Sequence, residues 1–121
     1  ITNANIIEET IVTALGSQKN ISMTGINPPM EIIDGGGERF YVEKADIVGF
    51  TCIEDDVLQR GYSGKVDIGD YVVIQNCGSY SVVMKPPFIL PNFAIIDICG
   101  DKEQVIKSAE SFEDLFHTYS F

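Results

Sequence analysis

Basic residues are scarce in this sequence: eight lysines and arginines stand against eighteen aspartates and glutamates, a net charge of -10 over 121 residues. Such a surface repels phosphate backbones and anionic headgroups, which argues against nucleic acid and membrane as partners. Solubility alone accounts for the charge. Long apolar runs are missing too. "FILPNFAIIDIC" is broken by Pro91 and Asp97 and is too short to span a bilayer, and nothing resembles a charged-then-apolar secretion signal. One histidine, His117, cannot build a His-rich metal site, and we expect no metal. The three cysteines, Cys52, Cys77 and Cys99, are odd in number and far apart. They suit neither a disulfide framework nor a C-x-x-C zinc site. They favour a reducing compartment, and the cytoplasm is expected. The chain begins at Ile1 with no methionine, and we expect it to be a piece of something longer.

What is present is an ordinary globular composition, 45% hydrophobic and 21% charged, with length for one domain and a real core. Most segments alternate or run in short β-rich bursts: "ETIVTAL" from Glu9, "FYVEKADIVGF", "DYVVIQN", "YSVVM" and "FAIIDIC". Turn clusters separate them: "INPP", "DGGGE", "RGYSG", "IGD" and "KPP". Many short strands between turns predict an all-β fold, a small antiparallel β-barrel or sandwich. Only the C-terminus has helical spacing. Ser111 and Asp114 form a loose capping box, and Phe112, Leu115, Phe116 and Tyr119 then make one apolar stripe, expected to pack on the β-structure.

"DGGGERF" invites a phosphate-loop reading, because successive glycines present backbone N–H groups to an anion. A helix must follow such a loop, and a strand pattern follows here. The segment is therefore a hairpin turn between two β-runs. Cys52 alone is compatible with a small buried hydrophobe, and for Cys77 and Cys99 that reading is kept. Tyr80 alone is a half-buried strand aromatic.

Taken together, "G-F-T-C-x-x-x-D" at Gly49 to Asp56, "G-D-Y-V-V" from Gly69 and "C-G-S-Y" ending at Tyr80 resemble a known pattern. It is that of the C-terminal β-domain of the pyridoxal-phosphate-dependent ornithine, diaminopimelate and arginine decarboxylases. The resemblance implies a Greek-key-like barrel of the kind found at the C-terminus of alanine racemases. It covers essentially the whole chain, as the C-terminal fragment (1–121) of a longer protein. The cofactor's lysine and phosphate loop would then belong to an absent upstream β/α barrel. Cys52 matches the cysteine that reaches across a homodimer and reprotonates the substrate α-carbon. Tyr80 matches the tyrosine that donates toward the cofactor phosphate. Phe88 matches a pocket aromatic, and Asp56 an acidic residue that is structural at the subunit junction. The implied substrate is a small amino acid, and the implied activity is decarboxylation by the full-length dimer, with this piece inactive alone.

Some positions depart from the family pattern. Phe50 replaces a proline, Ser79 replaces an alanine, and "KPPFILP" replaces a polar segment. Ile53 stands where the family commonly has an acidic residue gripping a basic substrate, so the substrate is left open, with Glu54 as a neighbouring candidate. A non-catalytic homologue serving as a binding or regulatory subunit is the rival expectation, and an unrelated small β-barrel a third.

Overall fold

The computed structural model describes residues 1, 3–6, 10–22, 25–84 and 87–120. Glu9 and Lys85, named in the sequence patterns above, lie outside them. The elements are β1 (Asn3–Ile6), β2 (Thr10–Thr13), β3 (Met30–Ile33), β4 (Phe40–Val48), β5 (Val57–Val66), β6 (Tyr71–Ile74), α1 (Ser81–Met84), β7 (Ile95–Cys99), β8 (Lys102–Lys107) and α2 (Phe112–Phe116). They fall into two compact units, Ile1–Lys85 and Pro86–Phe121.

In the first unit β1-β2-β4-β5 form one sheet and β3-β6 another. The fold is mostly β, as the turn spacing predicts, but the described strands make open sheets. The pairing is also not wholly antiparallel, because β2 runs parallel to β4, with Val12 opposite Ile47. The buried core is Val12, Ala14, Val42, Ala45, Ile47, Leu58 and Val66. Ile21, Met30, Ile32, Tyr62, Val72 and Ile74 pack against it from partly exposed positions.

The long β4-β5 pair shows why "RGYSG" forms no turn. Bulges interrupt the register between Val42 and Ala45 and again before Ile47. Lys44 and Gly61 take φ of +53° and +67° there. An extra residue in a bulge resets the in-out alternation without ending the strand. Val42, Ala45 and Ile47 therefore all face the core, and β5 continues through Gly61 and Gly64. "DGGGE" is likewise no hairpin: β3 pairs with β6 and β4 with β5, so the glycines carry the chain from one sheet to the other. "YSVVM" has the β-branched content of a strand and yet forms the single helical turn α1, for a reason that lies in Tyr80.

The second unit holds the β7-β8 hairpin and α2. The capping box forms. Ser111 Oγ accepts from the Asp114 N–H at 3.2 Å, and Asp114 Oδ2 accepts from the Ser111 N–H at 2.7 Å. Phe112 stacks on Phe116 with centroids 4.4 Å apart, but no residue of α2 is buried, contrary to the packing expected of its stripe. Cys99 is exposed on β7, so it is not the buried hydrophobe expected. No helix among the described residues is long and apolar enough to cross a membrane.

Candidate active-site loops

Cys52 sits in the loop between β4 and β5, and its side chain is exposed. The root of that loop is Asp56, only 4% exposed. Its Oδ2 accepts from Ser17 Oγ at 2.8 Å, from the Thr51 N–H at 3.1 Å and from the Thr51 hydroxyl. Its Oδ1 accepts from the Gln18 N–H at 2.9 Å. The Gly49 N–H donates to the Asp56 carbonyl at 2.7 Å, and the Asp56 N–H to that of Ile53 at 3.0 Å. A Cβ on Gly49 would lie 2.3 Å from the Asp56 carboxylate, so only glycine lets the strand end pass so close. Ile53 is half-buried inside this tight turn, while Glu54 and Asp55 point their charges to solvent. A groove of about 400 Å³, lined by Gln18, Ile26, Asn27, Asp55, Val57 and Arg60 among others, opens beside the loop.

Tyr80 follows β6 and starts α1. Its φ is +65°, a region that aromatic residues rarely enter. Holding it there costs about 1–3 kcal/mol, a strain typical of functional positions. The conformation turns the chain so that the Tyr80 carbonyl accepts from the Val83 and Met84 N–H groups at 3.2 and 2.9 Å. This turn overrides the strand preference of the two valines. The phenol is 67% exposed, not half-buried on a strand. Ser81, buried next to it, donates its hydroxyl to the Cys77 carbonyl and accepts from the Ser22 N–H at 2.8 Å. The half-buried Cys77 donates its thiol proton to the Ile74 carbonyl at 3.3 Å.

The "GD" of the motif segment that begins at Gly69 is a second anchor. Asp70, 3% exposed, accepts from the Gly35 N–H at 2.9 Å, the Asp67 N–H at 3.0 Å and Arg39 Nε at 2.9 Å. Burial pushes its carboxyl up, but these N–H donors and the guanidinium outweigh that and hold it below the ordinary 3.8. The Gly36 N–H is taken by Asp34 at 2.7 Å. The Gly35 and Gly36 amides thus already serve carboxylates of the chain, which argues against a phosphate loop at "DGGGERF".

Of the residues singled out from the sequence, Cys52, Ile53, Glu54 and Asp56 share one loop, and Tyr80 occupies another loop of the same unit. Phe88 belongs to the second unit, half-buried and bridged to Leu90. No group of His, Cys, Asp and Glu able to hold a metal occurs among the described residues. Sequence patterns missed Ser17, Gln18 and Ser22. Small polar residues after a strand look like any loop, and their partners stand 38 to 59 residues further on.

Comparison with known proteins agrees with the motifs. A diaminopimelate decarboxylase of Archaeoglobus fulgidus is 35% identical over 85 residues, 69% of this chain and 19% of that protein. The structure of diaminopimelate decarboxylase from Helicobacter pylori complexed with L-lysine superposes with a TM-score of 0.81 at 20% identity, over 97% of this chain and 29% of that one. The diaminopimelate decarboxylase of M. jannaschii gives 0.79 at 17% identity, over 100% and 29%. At such identities the superpositions establish the fold alone, and this chain spans less than a third of each relative's length. No protein-family profile matches it. With the paired motifs, the shared fold and the archaeal sequence likeness in agreement, the chain belongs to the pyridoxal-phosphate-dependent amino-acid decarboxylases, as a β-domain related to part of diaminopimelate decarboxylase.

Proposed function

We propose that this chain is the C-terminal β-domain of a pyridoxal-phosphate-dependent amino-acid decarboxylase that works as a homodimer in the cytoplasm, with Cys52 as the proton donor reaching the partner's active site. One observation carries this reading. The Cys52 thiol is exposed while the root of its loop, Asp56, is buried and accepts four hydrogen bonds. A cysteine kept for packing turns inward. A general acid must be both reachable and held still, and this loop provides both.

When bound, pyridoxal phosphate stabilises the electron pair left on the α-carbon as CO₂ departs. Cys52 then holds the proton that the α-carbon needs. A thiol held over the α-carbon would supply the proton there, and a positioned general acid is worth about 10²–10⁴-fold in rate. The exposed Tyr80 phenol, fixed at the start of α1, fits the cofactor as one donor to a phosphate oxygen. A single phenol is no phosphate cradle, so the remaining grip and the lysine belong to the upstream barrel. Asp56 is structural at the subunit junction.

The substrate is a small amino acid. Ile53 brings an alkyl side chain where a basic substrate wants a carboxylate, and an unpaired buried ammonium costs several kcal/mol. The hydrogen bond from the Asp56 N–H to the Ile53 carbonyl closes the turn in this register. Within this loop, Glu54 and Asp55 are the neighbouring carboxylates that could meet a second amino group in place of Ile53.

The test is Cys52→Ala in the full-length protein, with products identified and inactivation during turnover measured. We expect substrate to bind as before, while protonation goes astray and a carbonyl compound appears beside the amine. Unchanged rate and products would return Cys52 to the structural residues. A full-length protein that takes up no cofactor and turns over no amino acid would be the binding or regulatory homologue instead.

A further inference from the structure

We propose that residues 16–22 are a positioning strap that ties the Cys52 loop to the Tyr80 turn, with Ser17, Gln18 and Ser22 as its positioning residues. The inference rests on the reading of Cys52 and Tyr80 given above. At one end the strap grips the Cys52 loop on both sides of the thiol. The Phe50 N–H donates to the Gly16 carbonyl at 3.1 Å. Ser17 and Gln18 hold the Asp56 carboxylate, and the Gln18 side-chain amide donates to the carbonyls of Asp55, at 2.9 Å, and Val57. At the other end the Ser22 N–H donates to Ser81 Oγ, directly after Tyr80.

The span between the two grips is short and braced. Five residue steps cover about 17 Å even when fully extended. The Asn20 N–H on the Ser17 carbonyl at 3.0 Å, and the Lys19 N–H on Ser17 Oγ at 3.0 Å, fold the span into a turn. Ser17 and Asn20 are each only 1% exposed, so water does not loosen the turn. Asn20 also buries a side-chain amide with no hydrogen-bond partner among the described residues. A shift of either loop must therefore be transmitted through the strap to the other.

The experiment follows the alkylation of Cys52 by iodoacetamide over a range of pH in the full-length protein, with peptide mass spectrometry reading Cys52 against Cys99. Cys99 is exposed on β7 and is an internal reference. Gln18→Ala removes an exposed side chain and leaves the core intact. Ser81→Ala cuts the far end of the strap. We expect each to raise the Cys52:Cys99 ratio severalfold and to displace its pH profile, and Ser17→Ala to do the same. Ser17→Thr, which keeps the hydroxyl, stays nearer the wild type. Unchanged ratio and profile in Gln18→Ala and Ser81→Ala, whatever happens to thermal stability, would overturn the strap. Alkylation needs no turnover, so a protein without decarboxylase activity tests the strap equally well. Loss of proper protonation in Cys52→Ala with an unmoved ratio in the strap variants would sink the strap and leave the proposed function standing.

Discussion

Replacing Asp56 by asparagine changes one oxygen to an amide nitrogen and leaves the shape alone. Oδ2 accepts three of the four side-chain hydrogen bonds, from Ser17 and from the backbone and hydroxyl of Thr51; Oδ1 accepts the fourth, from the Gln18 N–H. The variant keeps most of the network with its oxygen at the Oδ2 position. Its NH₂ group then faces the Gln18 N–H, donor against donor. Hydrogen bonds to a charged acceptor contribute about 1.5–3 kcal/mol and neutral ones nearer 1. Gln18 and Thr51 are partly reached by solvent, which discounts their share. The weakened bonds and one orphaned N–H come to roughly 2–3 kcal/mol. In a domain of this size that lowers Tm by roughly 10 °C. Asp56→Ala also strands the buried Ser17 hydroxyl, which adds about 1–3 kcal/mol to the loss. Urea unfolding followed by circular dichroism measures both, and the slope should match the wild type's. A loss for Asp56→Asn within about 0.5 kcal/mol, the range of an inconsequential surface change, would show that the carboxylate does not root the loop.

Gly49→Ala places a methyl 2.3 Å from the Asp56 carboxylate, whose hydrogen bonds prevent it from yielding; we expect a loss of about 1–3 kcal/mol in the same assay. Asp70 has a folded pKa below the ordinary 3.8. The stability it contributes is therefore complete above that value and lost as pH falls through the folded pKa. Arg39→Gln, which removes one of the lowering partners, should be less stable near neutrality and lose less over this acidic window; parallel stability-pH curves for the two proteins would contradict this. Ile53→Asp in the full-length protein should raise kcat/KM for a diamino acid relative to the native substrate, with Glu54→Gln nearly silent. If the wild type already prefers a diamino acid and Glu54→Gln abolishes the preference, the acidic neighbour holds the second amino group and Ile53 does not face it.

The sequence alone was sufficient for features whose physics is local. The β-branched and aromatic content of "FYVEKADIV" made β4, the run "IIDIC" made β7, and Ser111 with Asp114 capped α2, because each signal is carried by residues within a few steps of one another. The family was legible because the motif segments around Cys52 and Tyr80 kept its spacing. Tertiary structure decided the rest. "RGYSG" stayed in β5 because bulges let Gly61 and Gly64 continue the pairing with β4. "SVVM" became helix because the strained Tyr80 redirected the chain. The glycines of "DGGGE" crossed between sheets because Asp70, 35 residues beyond Gly35, claimed the Gly35 amide. The hold on the Cys52 loop was equally invisible. Ser17 and Asp56 are 39 residues apart, and Ser22 and Ser81 are 59. No periodicity or local propensity encodes a hydrogen bond at such separations; it exists only once the core of β2, β4 and β5 has brought the loops together.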